Sequence, residues 1–396
     1  MIRAITVAVL IFAVVGQAVA QAPQPPELEC GAALLIDPGT RQILFEHNAY
    51  ARRFPASLTK MMTALLVAEA GNLHRTVTIS ERAAAVGETS MNLTAGEELK
   101  LEHILMGALL PSANDAATAC AEAVSGSVED FVALMNERAM ELGMDETHFV
   151  NAHGLHDDEH YSTARDMAIL GLHVMGRAEL RPIVRKQEAV VPWPSKPHDR
   201  KLLNRNRLLE HWPAADGIKT GYTRQAGDCL AASAYVDGWR LICVVLDCEE
   251  KPWNEARKLL EWGFDHFLKV ALVSAELTEA IIEVDGGVED VVKARAAEDV
   301  IAVVARDDIQ EPVLNTTAVE APIAVGDVVG SLAVTMPDGE TRSVDLIATE
   351  NVARSPWAQL LADQRYFIAL AALVALAVGV LVHGAASEAV GSRRTG

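Results

Sequence analysis

The chain has 396 residues, half of them hydrophobic and 22% charged, with a formal net charge of −20. That length suits two domains better than one, and the apolar half is enough to bury a sizeable core. The acid excess argues against nucleic acid as a partner, because few cations are left to displace counterions from phosphates.

In chain order, residues 1–20 read as a secretory signal peptide: Arg3, an apolar run over 5–15, then Ala18-Val19-Ala20 as a small-x-small cleavage site. They hold one arginine and no acid, so their removal leaves −21. Cys30 lies outside a lipoprotein box, since Pro26 to Glu29 lack the small residues such a site needs. Strands are expected at 32–36 and 42–45 around the turn Asp37-Pro38-Gly39-Thr40. Apolar periodicity predicts helices over 58–70, 101–110, 116–124, 128–142 and 164–175. Strands return at 218–222, 229–236 and 239–246, the last two as a hairpin that turns at Asp237-Gly238 with Val236 opposite Trp239. A helix over 254–268 carries Leu259, Leu260, Trp262 and Phe267. Strand-rich flanks around a helical middle make 27–268 an α/β domain with a helical insertion.

Beyond residue 269 the texture changes to short Val/Ile-rich stretches separated by turns such as Asp285-Gly286-Gly287. Residues 269–350 are therefore expected to be a small β-rich domain, with a spacer as its simplest role. A linker over 351–365 leads to an uncharged segment at 366–386, long enough for a transmembrane helix. Arg393-Arg394 keep the tail, 387–396, on the cytoplasmic side. The five cysteines are an odd count and a poor disulfide framework. In the expected hairpin Cys243 faces Ala232, an odd number of residues from Cys229, so those two point to opposite sheet faces. Mostly free, buried thiols are expected.

Three short motifs carry the chemistry. In Ser57-Leu58-Thr59-Lys60 the hydroxyl and amine lie one helical turn apart on one face. A serine becomes a good nucleophile when a neighbouring base takes its proton, and a desolvated lysine can be that base. Helix-end N–H groups there can stabilise an oxyanion. Taken alone, the pattern also fits an N-capping serine with a solvated lysine. Ser112-Ala113-Asn114 offers a hydroxyl to relay a proton and an amide to hold a peptide; its plain alternative is a helix cap made with Asp115. In Lys219-Thr220-Gly221, on an expected edge strand, ammonium and hydroxyl can bind a carboxylate while glycine lets an extended peptide lie close.

All three in this order resemble the serine D-alanyl-D-alanine carboxypeptidases, the low-molecular-mass penicillin-binding proteins. The likeness extends through Pro55 to Lys60, Met135-Asn136, Gly154-Leu155, Asn204-Arg205-Asn206 and Asp216 to Thr223. It implies a penicillin-binding/β-lactamase-like transpeptidase fold, an antiparallel sheet with helices plus a helical subdomain, followed by a small all-β domain. It also implies that Ser57, Lys60 and Ser112 are catalytic, that Asn114 holds the peptide, and that Lys219, Thr220 and Arg205 bind its carboxylate. Gly221 belongs to that binding strand, and the N–H groups of Ser57 and Tyr222 form the oxyanion hole. No metal or cofactor is implied. Expected partners are peptidoglycan stem peptides, β-lactams as covalent inhibitors, and the inner (cytoplasmic) membrane through the C-terminal helix, with the body on the periplasmic side. The sequence departs from relatives in reading Lys251-Pro252-Trp253 where many carry an arginine.

Three rival readings remain at this stage. A β-lactamase of the class A type needs a Glu-x-x-Leu-Asn segment, which is missing between Asn114 and Lys219. A zinc hydrolase could use His153, His156 and His160 beside Asp157, Asp158 and Glu159. A penicillin-recognising scaffold would keep the pocket without turnover.

Overall fold

The computed structural model describes residues 24–307, 312–362, 368 and 370–378. The expected signal peptide lies outside the described residues, as do 366, 367, 369 and 379–386 of the expected span. Among the described residues, no helix is long and apolar enough to cross a membrane.

The first compact unit runs through Lys269, and the chain returns to it at Val303. Its centre is a five-stranded antiparallel sheet built from β1 (Cys30–Ile36), β2 (Ile43–His47), β3 (Ala215–Thr223), β4 (Gly227–Val236) and β5 (Trp239–Cys248). The spatial order is β2-β1-β5-β4-β3, so β3 is an edge strand. Alternate residues of β1 serve two cores. Ala32, Leu34 and Ile36 pack with α1 (Lys60–Ala70) and α2 (Ala164–Gly176), whereas Ala33 and Leu35 pack under α3 (Pro252–His266). Burial on both faces is why β1 reads as a continuous apolar run.

The helical middle adds three helices, Leu101–Leu109, Asn114–Ser125 and Val128–Glu141. Two short hairpins went unforeseen: Thr76–Thr78 with Glu98–Lys100, and Glu188–Val191 with Arg200–Leu203. They are tied together by a buried ion pair, in which Arg200 meets Glu97 at 2.7 Å with both side chains 2% exposed. Strands of three or four residues leave too little periodicity to detect.

The second unit, Val270–Ala302 and the chain after the first unit's return, is built on a six-stranded sheet. Glu279–Asp285 and Val291–Ala296 form a hairpin whose inward residues, Ile282, Val284, Val292 and Ala294, are buried. The expected linker at 351–365 begins inside this unit. Val352 is 2% exposed and bridges to Ile323, and Pro356–Ala362 is helical.

The cysteine expectation needs one correction. Cys120, Cys229 and Cys243 are free and buried, but Cys30 and Cys248 form a disulfide. The two are register partners where β1 lies along β5, a pairing across 218 residues that hairpin geometry alone did not consider. Cys229 and Cys243 do lie in separate cores, as the hairpin register required. Replacing both bonded cysteines by serine is expected to lower unfolding stability by about 2–5 kcal/mol, measured by denaturant titration under oxidising conditions.

Candidate active site

Residues 56–59 form a 3-10 turn that passes directly into α1, so Ser57 and Lys60 stand one turn apart. Ser57 is not a cap: the turn is capped by Pro55, with no side-chain capping bond. Ala56, just before it, has φ +48°, a left-handed value that costs a non-glycine residue about 1–2 kcal/mol. Gly154 holds this turn from below. With φ +85° it lies so close that a Cβ there would overlap the Ala56 carbonyl.

Lys60 is fully buried. Its Nζ lies 2.9 Å from Ser57 Oγ, 2.8 Å from Asn114 Oδ1 and 2.6 Å from the His153 carbonyl. Two of these partners can only accept, and one is a hydroxyl that can donate. A neutral amine satisfies all three, using two N–H bonds and presenting its lone pair to the serine. Burial foremost, then the nearby charges of Lys219 and Arg205, holds the Lys60 pKa well below the ordinary lysine value.

Ser112 and Asn114 are 4% exposed each; Ser112 lies between Leu101–Leu109 and Asn114–Ser125, and Asn114 begins the second helix. Neither caps the second helix; its cap, Ala113, makes no side-chain bond. Ser112 has φ +68°, and its Oγ lies 2.9 Å from Lys219 Nζ. Asp115 does the local tying instead. Its carboxylate accepts from the N–H groups of Met91, Leu93 and Ala116 and from Ser90 Oγ, fixing the loop that carries Glu88 and Thr89.

Lys219 sits on β3, 1% exposed, and also donates to the Thr220 carbonyl at 2.9 Å. Among the described residues, that leaves one of the three donors of its ammonium without a partner. Burial first, and Arg205 second, pushes its pKa down to about 7. Gly221 follows, and here glycine serves a purpose the sequence did not suggest. A Cβ at this position would stand 3.0 Å from the Pro55 carbonyl and 3.1 Å from the Ser57 amide nitrogen. The missing side chain lets the edge strand press against the serine's own turn.

These groups open onto a cleft of about 260 Å³ lined by Ser57, Ser112, Asn114, Arg205, Thr220, Gly221 and Tyr222. All nine residues expected at the site are thus brought together, with Lys60 and Lys219 forming its buried base. Glu88, Thr89, Leu155, Asp228, Cys229, Pro252 and Trp253 line it as well, none of them among the expected site residues. Lys251 is not among the lining residues; its ammonium lies over the Trp253 ring at 5.7 Å. The three histidines are engaged separately. His160 meets Thr59 Oγ1 at 2.8 Å, His153 accepts from the Leu155 N–H, and His156 packs edge-on against Phe54. Burial lowers the pKa of His153 to about 3 and of His160 to about 4. Among the described residues, no group of three or more His, Cys, Asp and Glu is arranged to hold a metal.

Residues 19–250 match the family model for D-alanyl-D-alanine carboxypeptidase, and 267–354 match that of the penicillin-binding protein 5 C-terminal domain. The chain belongs to the D-alanyl-D-alanine carboxypeptidase family. D-alanyl-D-alanine carboxypeptidase DacF of Bacillus subtilis is 33% identical over 81% of this chain and 85% of its own length. DacA of Escherichia coli is 35% identical, covering 81% and 82%. Among solved structures, DacD of Francisella tularensis superposes with a TM-score of 0.68 at 30% identity, covering 85% of this chain and 97% of that one. Penicillin-binding protein 5 of Haemophilus influenzae gives 0.66 at 31%, covering 84% and 100%. The family's antiparallel sheet with helices and C-terminal all-β domain is the architecture found here.

Gly154→Ala is expected to lose about 2–4 kcal/mol in denaturant unfolding, from strained φ plus overlap with Ala56. Gly143→Ala, at φ +73° with no atom within 4 Å, should lose only the φ penalty of about 1–2 kcal/mol.

Proposed function

We propose that this family member removes the terminal D-alanine from peptidoglycan stem peptides through an ester on Ser57. The observation that carries the roles is the set of partners around Lys60, two acceptors and one hydroxyl, which suits a neutral amine aimed at Ser57. Lys60 takes the serine proton as Oγ attacks the carbonyl of the penultimate D-alanine. The backbone N–H groups of Ser57 and Tyr222 receive the developing oxyanion. Lys219, Thr220 and Arg205 bind the terminal carboxylate, and Asn114 holds the peptide while keeping Lys60 oriented. Ser112 relays the proton from Lys60 to the departing amine, which leaves as D-alanine and returns Lys60 to its neutral form. Water then hydrolyses the ester with Lys60 as base, returning Ser57 to its starting state.

β-Lactams mimic the D-alanyl pair and acylate the same oxygen. We further propose that residues 1–20 direct export and that 366–386 tether the chain to the inner membrane with the cleft on the periplasmic side. The uncharged C-terminal segment followed by Arg393-Arg394 supports this placement.

Intact-mass measurement after benzylpenicillin treatment is expected to show one adduct, mapped to the peptide holding Ser57. Ser57→Ala should show none and release no D-alanine from a pentapeptide. An adduct on another residue, or turnover by the alanine variant, defeats the assignment.

The pH profile follows from the two lysines. Lys60 must be neutral, so kcat/KM rises with pH through its depressed pKa. Lys219 must be charged, so kcat/KM falls as pH passes about 7. The limbs report the pair together. A depsipeptide whose terminal carboxylate is amidated should lose most of the alkaline limb, since it gains nothing from the Lys219 charge.

A further inference from the structure

The cleft is lined by two acids that the scheme above does not use, Glu88 and Asp228. Asp228, on β4, lines it and is partly buried. Among the described residues its carboxylate has no hydrogen-bond or ion-pair partner. Burial raises its pKa above the ordinary carboxylate value. Two cations, Arg207 and Lys251, lie over the Trp253 ring at 5.6 and 5.7 Å. A carboxylate drawn partly out of water without a counter-charge is unfavourable unless something else supplies one.

Its position says what that could be. Tyr222 and Asp228 are register partners across β3 and β4, so their side chains share a sheet face. Thr220, two residues back along β3, lies on that face too. With the terminal carboxylate held at Lys219 and Thr220 and the scissile carbonyl at Ser57, the donor peptide upstream of the scissile bond runs out past Tyr222. The neighbouring strand is about 4.8 Å away, within reach of a long side chain. Asp228, Pro252 and Trp253 all line the same cleft.

We propose that Asp228 is a specificity-determining residue that receives a cationic side chain on the residue preceding the D-alanyl pair of the donor. This rests on the carboxypeptidase reading of the cleft. The ligand class is a D-alanyl-D-alanine peptide with an ammonium side chain at that position, and the contact is an ion pair walled by Trp253.

The test compares two peptides, acetyl-lysyl-D-alanyl-D-alanine with a free side-chain ammonium and the same peptide with that amine acetylated. The intact enzyme is expected to favour the free ammonium by about tenfold in kcat/KM, the size of one partly shielded charge pair. In Asp228→Asn the ratio collapses towards one, and in Asp228→Glu it is largely kept. Acylation by benzylpenicillin, which lacks a cation, confirms that each variant is folded. Equal use of the two peptides by the intact enzyme overturns the proposal while leaving the carboxypeptidase reading in place. A preference that survives in Asp228→Asn overturns it equally. Cleavage of neither peptide overturns both.

Discussion

The chemistry proposed for this protein depends on keeping one lysine amine away from water. Lys60 has no exposed surface, and its Nζ is held by Asn114, the His153 carbonyl and Ser57. A solvated ammonium would be useless as a base at neutral pH. Desolvation removes that obstacle, and the two carbonyl acceptors decide where the remaining lone pair points. The unfolded chain binds protons at Lys60 and Lys219 that the folded chain holds less firmly, so the site costs stability at neutral pH. The large double-sided core around the sheet carries that burden.

Much of the surrounding fold can be understood as scaffolding for this arrangement. Asn114 begins a helix, His153 sits in an irregular loop, and Ser57 occupies a turn strained at Ala56. Three separate elements therefore meet at one nitrogen. Gly154 lets the loop approach beneath Ala56, and Gly221 lets the edge strand approach from the side. The strained φ values at Ala56 and Ser112 fall on the two serines' own segments, where packing on all sides over-determines the backbone. The buried pair of Arg200 and Glu97 and the Asp115 carboxylate order the loops that roof the cleft.

The two lysines share a low-dielectric base but have different partners. Lys60 is surrounded by groups that leave no donor spare, whereas Lys219, among the described residues, keeps one donor unpaired. One suits a base and the other an anchor for an anion. This separation of roles within one cleft comes from partner geometry, since both lysines are equally buried and both are depressed mainly by burial. Asp228, also in the lining, is an acid that burial favours in its neutral form.

The sequence by itself determined the strands and helices with strong periodicity, the hairpin register that set Cys229 and Cys243 on opposite faces, and nine candidate residues that the fold brings to one cleft. Those features are local: alternation, turn residues and short motifs need no knowledge of distant partners. The motifs pointed to a shared chemistry because their types and order matched one, not because their contacts could be seen. Only the tertiary structure decided that Ser112 and Asn114 do not cap a helix, that His153 contributes a carbonyl, and that Gly221 serves the approach of strand to turn. It also decided the Cys30–Cys248 bond and the presence of Asp228 in the cleft. Each of these joins residues far apart in the chain, and a single sequence records residue types without recording which of them the sheet order and loop closures bring within bonding distance.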